Sequence, residues 1–261
     1  MSRLVVTDVS HAFGGLLAVQ DFNLAIGERE VVGLIGPNGA GKTTVFNLLT
    51  GVYRPRRGSI RLDGQELVGL PQHRIVALGV ARTFQNIRLF GRLTALDNVR
   101  TAFYARGEAS SLAALLRLPS SRAEERRVIA QAHALLDAFG LAPHAHAAAG
   151  DLPYGLQRRL EVARALATRP RLLALDEPAA GMNPAEIQQM MRFIGWVRER
   201  FALPILLIEH QMTLVMGLCE RIVVLDAGRT IATGTPEEIR RDPAVLAAYL
   251  GTDDHAAPAA G

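Results

Sequence analysis

Eight residues, Gly36-Pro37-Asn38-Gly39-Ala40-Gly41-Lys42-Thr43, lie between the apolar segment Val31-Val32-Gly33-Leu34-Ile35 and a second apolar stretch made by Val45, Phe46, Leu48 and Leu49. This order of strand, glycine-rich loop and helix restricts the fold more than any other feature of the chain. Glycines let successive backbone N–H groups turn inward, the following helix presents the positive end of its dipole, and a lysine at the loop's end reaches toward outer phosphates. The hydroxyl of Thr43, with Thr44 behind it, is placed to ligate Mg²⁺. The pattern is that of a phosphate-binding loop, and both flanking contexts it requires are present. Of 29 Lys and Arg residues, Lys42 is the one lysine. A compact ammonium on a flexible stem suits a phosphate cradle in a way that a planar guanidinium does not.

With 261 residues, 49% of them hydrophobic, the chain can build one large domain or a core with a subdomain. A net charge of +4 is modest, and the arginines are scattered apart from short pairs at Arg56-Arg57, Arg126-Arg127, Arg158-Arg159 and Arg240-Arg241. That is no nucleic-acid stripe. One cysteine, Cys219, excludes an internal disulfide and reads as a small buried hydrophobe in a reducing compartment. Neither a signal peptide nor an apolar stretch of about 18 residues is evident, so no membrane span is expected.

Ahead of the loop, Leu4-Val5-Val6, Leu16–Val19 and Phe22–Ile26 read as short strands broken by turns, an antiparallel sheet. Phe13, just before Gly14-Gly15, is either core or a ring on which adenine stacks. After the loop helix, Ser59–Leu62 and Gly79–Gln85 read as strands, the second ending in an amide side chain. From Thr94 to about Gly140 the spacing turns helical, with Val128, Ala132, Leu135, Leu136 and Phe139 on one face and a loop expected over Gly107–Ser121. His144 and His146 lack a third ligand and read as a solvated loop. Leu156, Leu160, Ala163 and Ala167 share the face of a helix with Pro153 in its first turn. The buried run Arg171–Leu175 then ends in Asp176-Glu177; beside a phosphate loop, one such carboxylate holds Mg²⁺ through water and a second polarises the attacking water. Asn183-Pro184-Ala185-Glu186 starts a helix expected to reach about Arg200. Pro204–Ile208 is another buried strand, ending in Glu209-His210, and His210 taken alone is a hydrogen-bonded loop histidine. Arg221–Leu225 and Thr230–Ala232 form a hairpin, Thr235 caps a terminal helical region reaching Leu250, and the tail frays from Thr252.

Taken in this order, the motifs resemble the ATP-binding subunit of ABC transporters over nearly the whole chain. A phosphate loop at Gly36–Thr43, a glutamine loop at Gln85, a signature segment at Leu152–Gln157, the acidic strand end Asp176-Glu177, the turn Ala180–Asn183 and a switch histidine, His210, all occur in the expected sequence. The likeness narrows to the branched-chain amino acid importer subfamily at Thr83–Phe90, Tyr154-Gly155, Glu177–Pro184, Ile208–Met212 and Gly234–Ile239. Lipopolysaccharide-export ATPases share the closing Gly-Thr-Pro region and are the alternative. The resemblance implies an α/β fold: a phosphate-loop NTPase core with an N-terminal antiparallel β subdomain and an inserted α-helical subdomain. The ATPase domain would span residues 1–250, with the insert at about 86–165 and a flexible tail at 251–261.

That likeness also implies ATP and Mg²⁺ as cofactors. Two ATP-binding subunits, like or unlike, would meet head to tail, with each ATP between the phosphate loop of one and the signature helix of the other. Glu177 would activate water, His210 would contact the γ-phosphate, Thr43 and Gln85 would ligate Mg²⁺, and Asp176 would hold it from the second shell. The nucleotide-binding set would comprise Phe13 at the adenine, Gly36, Pro37, Asn38, Gly39, Ala40, Gly41, Lys42, Thr43 and Thr44 at the phosphates, and Pro153, Tyr154, Gly155, Leu156 and Gln157 in the signature. Two permease subunits in the membrane and, indirectly, a periplasmic or extracellular solute-binding protein would be partners, with no nucleic acid. The chain would then sit on the cytoplasmic face of the inner membrane.

Two departures from the family pattern stand out. Pro153 replaces the usual signature serine and has neither hydroxyl nor N–H, with Tyr154 and Leu156 replacing a glycine and a glutamine around Gly155. Fewer donors then face the γ-phosphate, so hydrolysis is expected with weaker ATP-driven closure. Asn183 replaces an aspartate, keeping the cap but losing a charge. The altered signature leaves room for a nucleotide-gated regulatory module with weak hydrolysis, against which intact Glu177 and His210 weigh. Ile87, Leu89, Phe90 and Leu93 are either core of the insert or an apolar groove for a short helix of a membrane subunit.

Overall fold

The computed structural model describes residues 2–104 and 119–250. Most of the loop expected over Gly107–Ser121, and the tail from 251, lie outside the described residues. The chain divides into two compact units, one formed by the sequence up to Gln72 together with that from Ala174 onward, the other by His73–Leu173.

In the first unit, strands β1 (Ser2–Phe13) and β2 (Leu16–Gly27) pair antiparallel, followed by β3 (Val31–Ile35), β4 (Arg57–Leu62) and β5 (Gln65–Glu66). The three short strands expected ahead of the phosphate loop are therefore two long ones. Asp8 and Asp21 adopt positive φ at register shifts within the ladder, a conformation short polar side chains tolerate. Asn23 bridges them: its amide Nδ2 donates to the Asp8 carboxylate at 3.1 Å and to the Asp21 carbonyl at 2.9 Å, while its Oδ1 accepts the Asp8 N–H at 3.0 Å. Residues that look like turn formers are bulges here, and they bend the sheet without ending it.

That sheet has the order β2-β1-β4-β5. A second sheet is built around β3, which runs parallel to β8 (Ile205–Ile208) on one side and to β9 (Arg221–Asp226) on the other. Within this unit its order is β10-β9-β3-β8-β7, with β10 (Arg229–Gly234) antiparallel to β9 and β7 being Leu172–Asp176, whose first two residues belong to the second unit. All residues of β3, β7 and β8 are buried, as expected for parallel strands covered on both faces. The polar groups that follow these strands thus emerge together at the sheet's carboxyl edge, where ligands of open α/β sheets bind.

Helices Lys42–Leu49, Pro184–Phe201, Met212–Leu218, Pro236–Arg241 and Pro243–Leu250 complete the unit. The helix after Asn183 begins with the full capping box: the Asn183 side chain accepts from the Glu186 N–H, and the Glu186 carboxylate accepts from the Asn183 N–H. Thr235 and Glu238 repeat the device. Cys219 is buried, and burial foremost, with the Glu220 and Glu209 carboxylates, pushes its thiol up to about 12, so it behaves as an inert core residue.

The second unit contains a short strand, β6 (Val80–Arg82), and helices Gln72–Leu78, Ala95–Phe103, Pro119–Ala138 and Tyr154–Ala167. The strand expected to run to Gln85 stops at Arg82. Its preceding residue, Gly79, offers its carbonyl to the N–H groups of Arg171 and Leu172 at 2.7 and 3.0 Å. Val128, Ala132, Leu136 and Phe139 are buried, which accounts for the helical spacing read there.

Candidate nucleotide site

In the first unit the phosphate-loop residues form the floor of an open cleft of about 570 Å³, which Phe13, Leu16 and Leu17 flank on one side and Glu177 borders on another. Two glycines are required by geometry. A Cβ on Gly36 would lie 2.0 Å from the Leu225 carbonyl oxygen, and one on Gly41, at φ +101°, would lie 2.6 Å from that of Ala18. Gly41 caps the helix Lys42–Leu49 without a side chain, leaving its first-turn N–H groups facing the cleft. Lys42 is buried, and its Nζ donates to the carbonyls of Gly36 and Pro37 at 2.6 and 2.8 Å. Burial lowers its pKa and the Glu177 carboxylate partly offsets that. Its ammonium is thus held at the loop's mouth by the loop's own oxygens.

Phe13 is 44% exposed, so a face of the ring is open. Its orientation is fixed by two other rings, which sequence reading did not single out. His11 and Tyr53 meet it edge-on with centroids 4.7 and 5.1 Å away, while stacking on each other at 5.5 Å. The His11 Nδ1 lies 3.1 Å from the Arg54 carbonyl. These contacts brace the ring upright at the end of β1.

The acidic end of β7 and the polar end of β8 come together. Asp176 is buried, and Glu177, at φ +45°, donates its N–H to the Ile208 carbonyl at 2.8 Å. Such backbone in a non-glycine residue is strained, and strain of this kind concentrates at functional positions. The Glu177 Oε2 is 3.7 Å from the His210 Nδ1. Fully buried Glu209 accepts the Ala179 N–H at 2.8 Å and the N–H groups of His210 and Gln211 at 2.9 and 3.1 Å. It was visible in the sequence as one of a polar pair closing an apolar run, but its partners were not.

These donors fit a nucleotide triphosphate with Mg²⁺. The collisions a Cβ would cause at Gly36 and Gly41 mark a cradle shaped from bare backbone, and Thr43 and Asp176 offer the hydroxyl and carboxylate oxygens that Mg²⁺ prefers. Among the described residues no group of three or more His, Cys, Asp or Glu side chains gathers in a way that would hold a metal.

In the second unit Pro153 is the N-cap of the helix Tyr154–Ala167 and supplies no capping side chain. Tyr154 and Gly155 are exposed at its first turn, whereas Gln157 turns back, its Nε2 donating to the Leu152 carbonyl at 2.7 Å. Gln85 is exposed, and its backbone is held by a residue the sequence reading passed over. Buried Arg158 donates to the carbonyls of Phe84, at 2.8 Å, and Gln85, to the Tyr154 hydroxyl at 2.8 Å and to Glu161 at 3.2 Å. Glu161 in turn accepts the N–H groups of Phe84 and Arg88, each at 3.3 Å. Burial holds its carboxyl above the ordinary range, against those two donors and Arg158. Buried Asn98 ties down the next turn, accepting from the Phe90 N–H at 2.9 Å and donating to the Phe90 and Thr94 carbonyls at 3.1 and 3.0 Å. Phe90 itself is 54% exposed and lines a cleft of about 340 Å³ with Arg82, Thr101 and Arg164.

Comparison with known proteins agrees with this geometry. A family model described as ABC transporter matches residues 19–180, and one described as branched-chain amino acid ATP-binding cassette transporter matches residues 229–255. The chain is 50% identical over 253 residues to the high-affinity branched-chain amino acid transport ATP-binding protein BraF of Pseudomonas aeruginosa, covering 96% of this chain and 99% of that protein. It is 48% identical to LivG of Escherichia coli K12, a protein of the same description, covering 95% and 97%, and 34% identical to the lipopolysaccharide export ATP-binding protein LptB of Haemophilus influenzae, covering 96% and 98%. Among solved structures, the ADP conformation of MJ1267, an ATP-binding cassette of an ABC transporter, superposes with a TM-score of 0.82 at 26% identity, covering 96% and 99%.

Proposed function

The chain belongs to the ATP-binding subunits of ABC transporters, and from that premise we propose that it hydrolyses ATP to drive uptake of branched-chain amino acids through membrane-embedded permease subunits. The observation that carries the reading is the cleft joining Lys42, the bare-backbone loop and Glu177, with His210 3.7 Å from that carboxylate. The match of residues 229–255 to the branched-chain family model supports the choice of solute over lipopolysaccharide export.

In this reading Lys42 gives up the Gly36 and Pro37 carbonyls for the β- and γ-phosphates, and the free N–H groups at the start of Lys42–Leu49 take the remaining oxygens. Phe13 supports the adenine. Thr43 would hold Mg²⁺ directly and Asp176 through water, and Gln85 is given a Mg²⁺-ligating role by family likeness alone; Mg²⁺ bound there would neutralise charge on the phosphates. Glu177 orients the attacking water, and His210, on its flank, contacts the γ-phosphate. Tyr154, Gly155 and the start of their helix close on the nucleotide of a second ATP-binding subunit, with Pro153, Leu156 and Gln157 shaping that segment.

No helix among the described residues is long and apolar enough to cross a membrane. By likeness to the importer subunits, attachment is assigned to the permease subunits, with the exposed ring of Phe90 and its cleft as the docking surface on this chain. Co-purification with the permeases encoded alongside it, and ATPase assay of the reconstituted complex with its solute-binding protein, tests the proposal. Leucine, isoleucine or valine should stimulate phosphate release; release indifferent to all three would overturn the choice of solute.

A further inference from the structure

The acidic turn and the histidine segment are joined twice. One joint is the backbone bond from the Glu177 N–H to the Ile208 carbonyl at 2.8 Å. The other is Glu209, which has no exposed surface and so cannot reach nucleotide. Its two oxygens divide their work. Oε1 accepts from Ala179, two residues beyond Glu177, at 2.8 Å, and Oε2 accepts from His210 and Gln211 at 2.9 and 3.1 Å. The His210 Nδ1 lies 3.8 Å from that same Oε2 and 3.7 Å from the Glu177 Oε2. A buried carboxylate is expensive to keep, and three backbone donors from two separate loops compensate it here. An apolar side chain would fill the space but leave those donors unpaired.

We propose that Glu209 is a positioning residue for ATP hydrolysis: its carboxylate sets the separation between the Glu177 carboxyl and the His210 ring. The inference rests on the ATPase reading given above. Glu177 sits in strained backbone at φ +45°, and the turn after it is fixed by the Ala180 N–H to the Glu177 carbonyl, at 3.2 Å, and by the Ala179 bond to Glu209. With the second of these gone, the turn loses one of its two hydrogen-bonded joints to the histidine segment. The carboxyl that aligns water and the ring that meets the γ-phosphate then lose their common support.

Glu209→Gln is the informative variant, because it keeps the size while leaving one acceptor oxygen for donors that arrive from two sides. Single-turnover hydrolysis, steady-state kinetics and thermal unfolding of the full chain with its permeases are compared in the wild type, Glu209→Gln, His210→Ala and the double variant. Glu209→Gln should lower kcat on the order of 10- to 100-fold, as expected for misplaced reacting groups, with KM for ATP changed less than about threefold. In the His210→Ala background the same change should cost clearly less than in the wild type, since one of the two groups whose separation Glu209 sets is already absent. Unchanged kcat, a raised KM with kcat intact, a fully additive loss in the double variant, or a Glu209→Gln chain that no longer folds would each overturn the positioning role. Wild-type protein without ATP turnover would overturn the ATPase reading and this inference together, whereas normal wild-type turnover with a silent Glu209→Gln overturns this inference alone.

Discussion

Replacing Phe13 by Ala removes a ring whose face is open to the cleft while its edges are held by His11 at 4.7 Å and Tyr53 at 5.1 Å. Stacking of a base on an aromatic side chain contributes about 1–3 kcal/mol, which is roughly a 5- to 150-fold change in Kd. The braced orientation keeps Phe13 away from the lower end of that span, because the ring is already ordered before nucleotide arrives. Fluorescence titration with a ribose-labelled ATP analogue should therefore show Phe13→Ala weakening binding by about 2 kcal/mol, near 30-fold. Phe13→Trp should stay within about threefold of the wild type, since any flat π-face serves. His11→Ala and Tyr53→Ala should each weaken binding less, and should add nothing on top of Phe13→Ala. Affinity unchanged in Phe13→Ala, or bracing variants that add fully to it, would refute the assignment of the ring to adenine.

Asn183→Ala removes the side-chain half of the capping box, leaving the backbone N–H to bond Glu186, and should destabilise the first unit by about 1 kcal/mol in urea unfolding, while Asn183→Asp keeps the cap. Pro153→Ser restores a hydroxyl at the N-cap of Tyr154–Ala167, and on a Glu177→Gln background should tighten ATP-dependent dimerisation in analytical ultracentrifugation. Glu161 has a folded-state pKa raised by burial, so the folded chain holds that proton more firmly than the unfolded one. Its contribution to stability is therefore present below the ordinary carboxylate pKa and is lost as pH rises through the raised value. The difference in urea midpoint between wild type and Glu161→Gln should shift in that direction between acidic and neutral pH; a difference independent of pH would contradict it.

The phosphate loop, the caps at Asn183 and Thr235, and the buried strands β3, β7 and β8 were legible because each is written in neighbouring residues. The long strands β1 and β2 were not, because Asp8, Asp21 and Asn23 carry the chemistry of turns and reveal themselves as bulges only through a partner strand. The supporting residues were hidden for a related reason. Glu209 finds Ala179 across 30 positions, Arg158 finds Phe84 and Gln85 across more than 70, and Tyr53 reaches Phe13 from the far side of the loop helix. Sequence spacing exposes the groups proposed to do the chemistry. The residues that hold them come from elsewhere in the chain, and folding alone brings them near.

Turnover of Mg-ATP by wild type and by Lys42→Ala, measured as phosphate release beside direct nucleotide titration, tests the central claim most directly. Lys42 is the chain's one lysine and its ammonium is held at the mouth of the loop by the Gly36 and Pro37 carbonyls, ready to exchange them for phosphate oxygens. Loss of both binding and hydrolysis in Lys42→Ala, in a chain that still unfolds cooperatively, is the predicted result. A Lys42→Ala chain that binds and hydrolyses ATP at the wild-type rate would contradict the account.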